Sequence, residues 1–133
     1  MEQVSLLATR RKRNSVARLT KNSKLFKAII HAIKEKKGDK IVSLDLRKIP
    51  EAAADFFIIC EASSTTQVKA IADFVEAHVK DAAEDTPYHS EGHQAAHWIL
   101  VDYVNVVVHV MLLETRKFYK LEEMWNDGEV EEI

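Results

Sequence analysis

Three histidines, His89, His93 and His97, recur every fourth residue with Glu91 among them. On one continuous helix that spacing would stack three imidazoles on a single face, the donor set of a zinc or nickel site. The segment argues against such a helix: Pro87 precedes it, Gly92 interrupts it and Trp98 opens a strand directly after it. The order is also not His-Glu-x-x-His, because Glu91 falls two residues after the first histidine. Loop histidines without a ligand are the simpler reading, so neither a metal nor a cofactor is expected.

Other groups that could do chemistry are equally poorly supported. A strand, then Ser63-Ser64-Thr65-Thr66, then a helix has the outline of a phosphate-binding turn. No glycine lies in Ala62–Gln67 to let backbone wrap a phosphate, and no lysine of P-loop type follows. Ser64 and Gln67 are better read as a helix capping box. Asp45 and Asp102 occur singly on their strands, without the paired carboxylates that would hold a divalent ion. Cys60 sits in the most apolar strand, where a thiol is inert, and no serine has a nucleophile-elbow context. The residues predict no catalytic centre and a protein that is not an enzyme.

What remains is the longest apolar stretch, His97–Met111. Its β-branched density with Asn105 in the middle predicts an antiparallel hairpin turning at Val104-Asn105. One face then pairs Tyr103 with Val106, Val101 with Val108 and Ile99 with Val110, which is uniformly core-like. The other pairs Asp102 with Val107, Leu100 with His109 and Trp98 with Met111. That mixture suits a docking surface, with Trp98, Met111 and Tyr119 as anchors and Glu114 and Arg116 as a polar rim. The alternative is that the last segment folds back and covers the sheet with its rings.

The elements that position these residues follow from periodicity. Leu25, Phe26, Ile29, Ile30 and Ile33 fall on one helical stripe ended by Gly38. Ile41–Arg47 alternates as a half-buried strand, and Phe56–Cys60 is a strand buried on both faces. Glu51–Ala54 reads as one helical turn. A second helix carries Val68, Ile71, Ala72, Val75 and Val79 to about Ala83. Residues 85–96 read as a polar loop, 114–119 as a short extended piece and 121–125 as a closing helical turn. The order α-β-β-α-β-β predicts an α/β fold with a single mixed sheet.

At 133 residues, 47% of them apolar and 30% charged, the chain can bury one domain's core. Residues 1–27 hold eight basic side chains against Glu2 alone, and 122–133 hold six acids and no base. We therefore divide the chain into a basic arm (1–22), a domain (23–126) and an acidic tail (127–133). The arm could contact RNA or an acidic surface. One cysteine excludes a disulfide framework and fits a reducing compartment. No apolar run approaches the ~20 residues that span a membrane. A secretory h-region is missing, which points to the cytoplasm. The arginine-rich start keeps the mitochondrial matrix as the alternative, with Glu2 counting against it.

Seven segments, in order and spacing, resemble the ribosomal silencing factor (Iojap-like) family: Leu44–Arg47 (LDLR), Ala54–Ile59 (ADFFII), Ser64–Asp73 (STTQVKAIAD), His89–Gly92 (H-x-E-G), Trp98–Asp102 (WILVD), Val106–Met111 (VVVHVM) and Glu114–Trp125 (ETRKFYKLEEMW). The resemblance implies a nucleotidyltransferase-like fold without the catalytic carboxylates. It also implies a translational repressor that binds the large ribosomal subunit through ribosomal protein L-fourteen and sterically blocks joining of the small subunit. A role in large-subunit assembly is the alternative, and a metal-dependent enzyme using His89, His93 and Glu91 is a further one. On the family reading the basic arm 1–22 would add a contact to ribosomal RNA. Trp98 maps onto the family's interface tryptophan; Asp102, His109, Met111, Arg116 and Tyr119 share or flank its face. An exposed apolar patch there leaves self-association of the free protein open. The chain departs from the family at Val104-Asn105 (usually Gly-Asp), at Glu61–Ser64 (usually Ser/Thr-Gly-Asn-Ser) and at Leu112-Leu113 (usually His-Pro). Because valine resists positive φ, the hairpin register is the feature most exposed to error.

Overall fold

The computed structural model describes residues 23–133; the basic arm 1–22 lies outside the described residues. Helix α1 (Lys24–Glu35) is capped by Ser23, whose Oγ accepts the Phe26 N–H, and it buries Phe26, Ile29 and Ile33 on the predicted stripe. Helix α2 (Thr65–Ala83) is capped in the same way, Ser64 Oγ accepting the Gln67 N–H. The capping box closes only halfway, because the Gln67 side chain donates to the Lys37 carbonyl and so ties α2 to the end of α1.

Six strands form one mixed sheet in the order β3-β4-β5-β2-β1-β6. They are β1 (Asp39–Asp45), β2 (Phe56–Ala62), β3 (His89–Glu91), β4 (Trp98–Asp102), β5 (Val106–Leu112) and β6 (Glu129–Glu132). Strand β2 is fully buried and runs parallel to β5 at the sheet's centre, as a continuous apolar strand should. The remaining pairs are antiparallel. Among the described residues no helix is long and apolar enough to cross a membrane.

The β4–β5 hairpin has the predicted register, from Trp98 opposite Met111 to Asp102 opposite Val107. Its turn is unusual. Val104 sits at φ +74°, and the Asn105 N–H donates to the Tyr103 carbonyl at 2.9 Å, which makes a tight γ-turn instead of a type I′ turn. Two interactions hold valine in this unfavourable region. Asp102 Oδ1 accepts the Val104 N–H at 2.8 Å, and the Asn105 carbonyl accepts the N–H groups of Asp55 and Phe56.

Both sheet faces are covered. Helices α1 and α2 pack on one, against Phe56, Ile58, Ile99, Val101, Val106 and Val108. On the other, residues 46–54 with Leu121 and Trp125 cover Leu44, Phe57, Ile59, Leu100, Val107 and Met111.

Four sequence readings need correction. Residues 89–91, read as loop, pair with β4 as a short edge strand. The piece 114–119, read as extended, belongs to helix α3 (Leu113–Tyr119), followed by α4 (Leu121–Met124). Glu51–Ala54 forms turns without a helical segment. The acidic stretch 127–133 is not a tail, since Glu129–Glu132 pairs with β1. The two edge strands depend on partners distant in the chain, and α3 starts straight from a strand with no capping side chain to announce it.

Candidate docking surface around Trp98

The second face of the hairpin is mostly interior, which corrects the expectation of an open mixed surface. Asp102, His109 and Met111 are fully buried, and Arg116 is nearly so. Asp102, His109 and Met111 present no surface to a partner that docks on the folded protein, and Arg116 reaches only the wall of a cavity it shares with Lys40, Glu61 and Glu122. Trp98 is half-buried, and Tyr119 remains 42% exposed.

The buried four position the exposed two. Trp98 Nε1 donates to His109 Nδ1 at 3.0 Å. Since indole is only a donor, Nδ1 must accept and the imidazole proton must sit on Nε2. Burial lowers the His109 pKa to about 3, so the ring stays neutral and the acceptor is permanent. Its Nε2 has no hydrogen-bond partner among the described residues, and the ring packs edge-on against Phe57 with centroids 4.7 Å apart. Met111 supplies apolar floor opposite Trp98. Asp102 braces the turn at the far end of the hairpin.

Arg116 is a tie between elements. Its guanidinium donates to the Lys40 carbonyl at 2.8 Å, to Glu61 Oε1 at 3.2 Å and to Glu122 Oε2 at 3.0 Å. It therefore fixes α3 to β1, β2 and α4 at once, which sets where the end of α3 projects. At that end Tyr119 packs on Trp98 with ring centroids 5.1 Å apart, and Phe118 packs on Tyr119 at 5.0 Å. Phe118 is 78% exposed. The three rings form a continuous aromatic strip that starts in the sheet and ends in solvent, flanked by exposed Lys117, Lys120 and Glu114. Such a strip has the composition of an interface anchor, amphipathic rings beside a charged rim.

Two contributors escaped the sequence reading. Phe118 was read within an extended piece, where neighbouring rings alternate sides; on a helix end it projects into solvent beside Tyr119. Gly92 stood out as a helix breaker and as the end of the His89–Gly92 segment, with no contact assigned to it. It lies at φ +93°, and an added Cβ would fall 2.1 Å from the Trp98 carbonyl oxygen, so only glycine lets the 92–97 loop pass the start of β4. The motif His89–Gly92 carried that signal.

The three histidines do not converge. His89 Nε2 meets Glu91 Oε1 at 2.9 Å on the side of the sheet that carries Asp102 and Leu100. His93 reaches the opposite side, where its Nε2 contacts Ser90 Oγ and lies 3.8 Å from Glu76 Oε2 on α2. His97 is exposed, and its carbonyl accepts the Leu112 N–H. Among the described residues no group of three or more histidine, cysteine or acidic side chains is placed to hold a metal. The Cys60 thiol, enclosed in the core, is pushed up to about 12 by burial, which removes thiolate chemistry near neutrality.

A family model described as "Ribosomal silencing factor during starvation" matches residues 19–133. The chain is 34% identical over 112 residues to ribosomal silencing factor RsfS of Halalkalibacterium halodurans, covering 84% of this chain and 94% of that one. It is 39% identical over 99 residues to the RsfS of Chromobacterium violaceum, covering 74% and 80%. A mouse protein named mitochondrial assembly of ribosomal large subunit protein 1 is 36% identical over 73 residues, covering 53% of this chain and 32% of its own. A crystal structure of a protein from Chromobacterium violaceum superposes with a TM-score of 0.73 at 37% identity, covering 77% of this chain and 83% of that one. The chain thus belongs to the ribosomal silencing factor family.

Proposed function

We propose that this protein represses translation by docking on the large ribosomal subunit, through ribosomal protein L-fourteen, where it obstructs joining of the small subunit. The observation that carries the reading is the strip Trp98–Tyr119–Phe118, exposed aromatic surface held in place by buried groups on a chain of this family. Exclusion of this kind needs no chemical step and no cofactor. Trp98, Tyr119 and Phe118 are the contact residues in this proposal; His109, Met111, Arg116 and Asp102 act through them. The bacterial relatives favour the cytoplasm over the mitochondrial matrix. Assembly of the large subunit is a second reading, favoured by the name of the mouse relative.

Co-sedimentation with isolated subunits tests the proposal. Wild type should travel with the large subunit and not the small, and should lower the yield of joined ribosomes in proportion to occupancy. Trp98→Ala should weaken binding by ~2 kcal/mol or more, about thirtyfold. Full binding by that variant would refute the docking face, and binding without loss of joining would favour assembly over repression. No binding by wild type at low salt would refute the function.

A further inference from the structure

Helix α1 presents a surface that docking through the aromatic strip does not use. Lys24, Lys27, His31 and Lys34 are all exposed and lie on one stripe opposite the buried Phe26, Ile29 and Ile33. The stripe is about 15 Å long at 1.5 Å per residue. Glu35, at its C-terminal end, is the only acid of the helix. None of the three lysines has an ion-pair partner among the described residues. The neighbouring surface of α2 is balanced, with Lys69 and Lys80 beside Asp73 and Asp81.

Lys34, in the last turn, complements the helix dipole, but the N-terminal part of the stripe works against the helix itself. A first turn with Lys24 and no acid opposes the helix dipole, and a row of like charges repels along its length. Helix stability alone would favour acids in that turn. The stripe also follows directly on the basic run Arg10–Lys21 in sequence, so cationic character extends from the arm into a rigid element.

We infer that the lysine stripe of α1 is a contact surface for the phosphate backbone of RNA. A row of ammonium groups with no apolar side chain between them can neutralise successive phosphates and release their counterions, without reading sequence. A membrane surface is a poorer match, because an interfacial helix needs its apolar face free, and that of α1 is buried against the sheet. An acidic protein would also want an apolar anchor, which the stripe lacks; its one ring, His31, is stacked on His78 of α2 with centroids 4.8 Å apart. The ribosome for which the family is named supplies such RNA backbone. Since α1 covers the sheet face opposite Trp98 and Tyr119, RNA can engage it while the aromatic strip is occupied.

The full chain and the triple variant Lys24→Gln, Lys27→Gln, Lys34→Gln are titrated with short fluorescent RNA, single-stranded and duplex, at several salt concentrations. The same comparison is made with Arg10, Arg11 and Arg13 changed to glutamine, which separates the stripe from the arm. Glutamine keeps helix propensity, and matching thermal melts confirm the fold. Loss of three phosphate contacts should lower the slope of log K against log salt by about 2 to 3 and weaken binding at low salt at least about tenfold, in both arm backgrounds. An unchanged slope overturns the inference, and so does an effect that disappears once the arm has lost Arg10, Arg11 and Arg13. Equal loss on anionic vesicles or polyglutamate would also overturn it, since the stripe would then answer to negative charge of any kind. Trp98→Ala should leave RNA binding intact, so failure of the docking proposal would not be confused with failure of this one.

Discussion

Replacing His109 with glutamine should remove an acid-induced loss of stability that the wild-type protein carries. The buried imidazole has its pKa lowered to about 3, whereas in the unfolded chain it titrates near the ordinary 6.5. A depressed folded value means that the native state holds the neutral ring. The stabilisation is complete above about pH 6.5 and is lost as pH falls from there toward 3, because only the unfolded chain takes up the proton in that window. Each pH unit inside it is worth about 1.4 kcal/mol, so at pH 5 the cost of this one group is about 2 kcal/mol. A glutamine in its place cannot titrate, and the amide oxygen can still accept the Trp98 indole N–H. Urea unfolding at pH 7.5 and pH 5, followed by tryptophan fluorescence, gives the stability change for each protein. The other histidines contribute to both and cancel in the difference. Wild type should lose about 2 kcal/mol more than His109→Gln between the two pH values. Parallel losses would show that the ring is not held neutral, and the permanent acceptor for Trp98 would fall with it.

Three further substitutions probe the frame around the strip. Gly92→Ala forces a Cβ onto the Trp98 carbonyl and should cost more than about 2 kcal/mol in thermal or urea unfolding, with a changed Trp98 emission; a silent variant would contradict the close approach. Arg116→Ala leaves the buried Glu61 carboxylate without its cation and should lower stability by about 3 to 5 kcal/mol by the same assay; a loss under about 1 kcal/mol would mean that the tie carries little. Val104→Gly relieves a β-branched residue at φ +74° and should raise stability by about 1 kcal/mol after the added unfolded-state entropy of glycine. A lower melting temperature would show that the valine side chain contributes more than its backbone costs.

Local chemistry was legible where the partner was close in the chain. Ser64 announced its helix because a cap needs only three residues of sequence, and the cap of α1 at Ser23 is of the same local kind. The hairpin register was readable despite Val104, since pairing Ile99 with Val110 and Val101 with Val108 leaves one uniform core face. Strands β3 and β6 were hidden for the opposite reason. Three residues of mixed polarity and four that are mostly glutamate carry no alternation, and only β4 and β1 make them strands. The candidate site failed in the same way. His109 and Asp102 are polar, so the residues alone placed them outside; their burial depends on Trp98, on the Val104 N–H and on a cover drawn from residues 46–54 and 121–125. The partial exposure of Trp98 and Tyr119 was legible because large rings beside a strand mark a surface whether or not its floor is known.

Strand β6 also bears on how the protein behaves in a crowded solution. Without it the sheet would end at β1, whose apolar Ile41–Leu46 segment would offer a free ladder of backbone donors and acceptors to any passing strand. The segment that occupies this edge bears Glu129, Glu131 and Glu132, so two copies approaching edge to edge meet like charges before any backbone pairing can form. The opposite edge, β3, is only three residues long and gives little purchase to an incoming strand. The closing acids thus act as gatekeepers against fibrillar growth. A chain ending at Asp127 should aggregate through strand pairing, on a route independent of its aromatic strip.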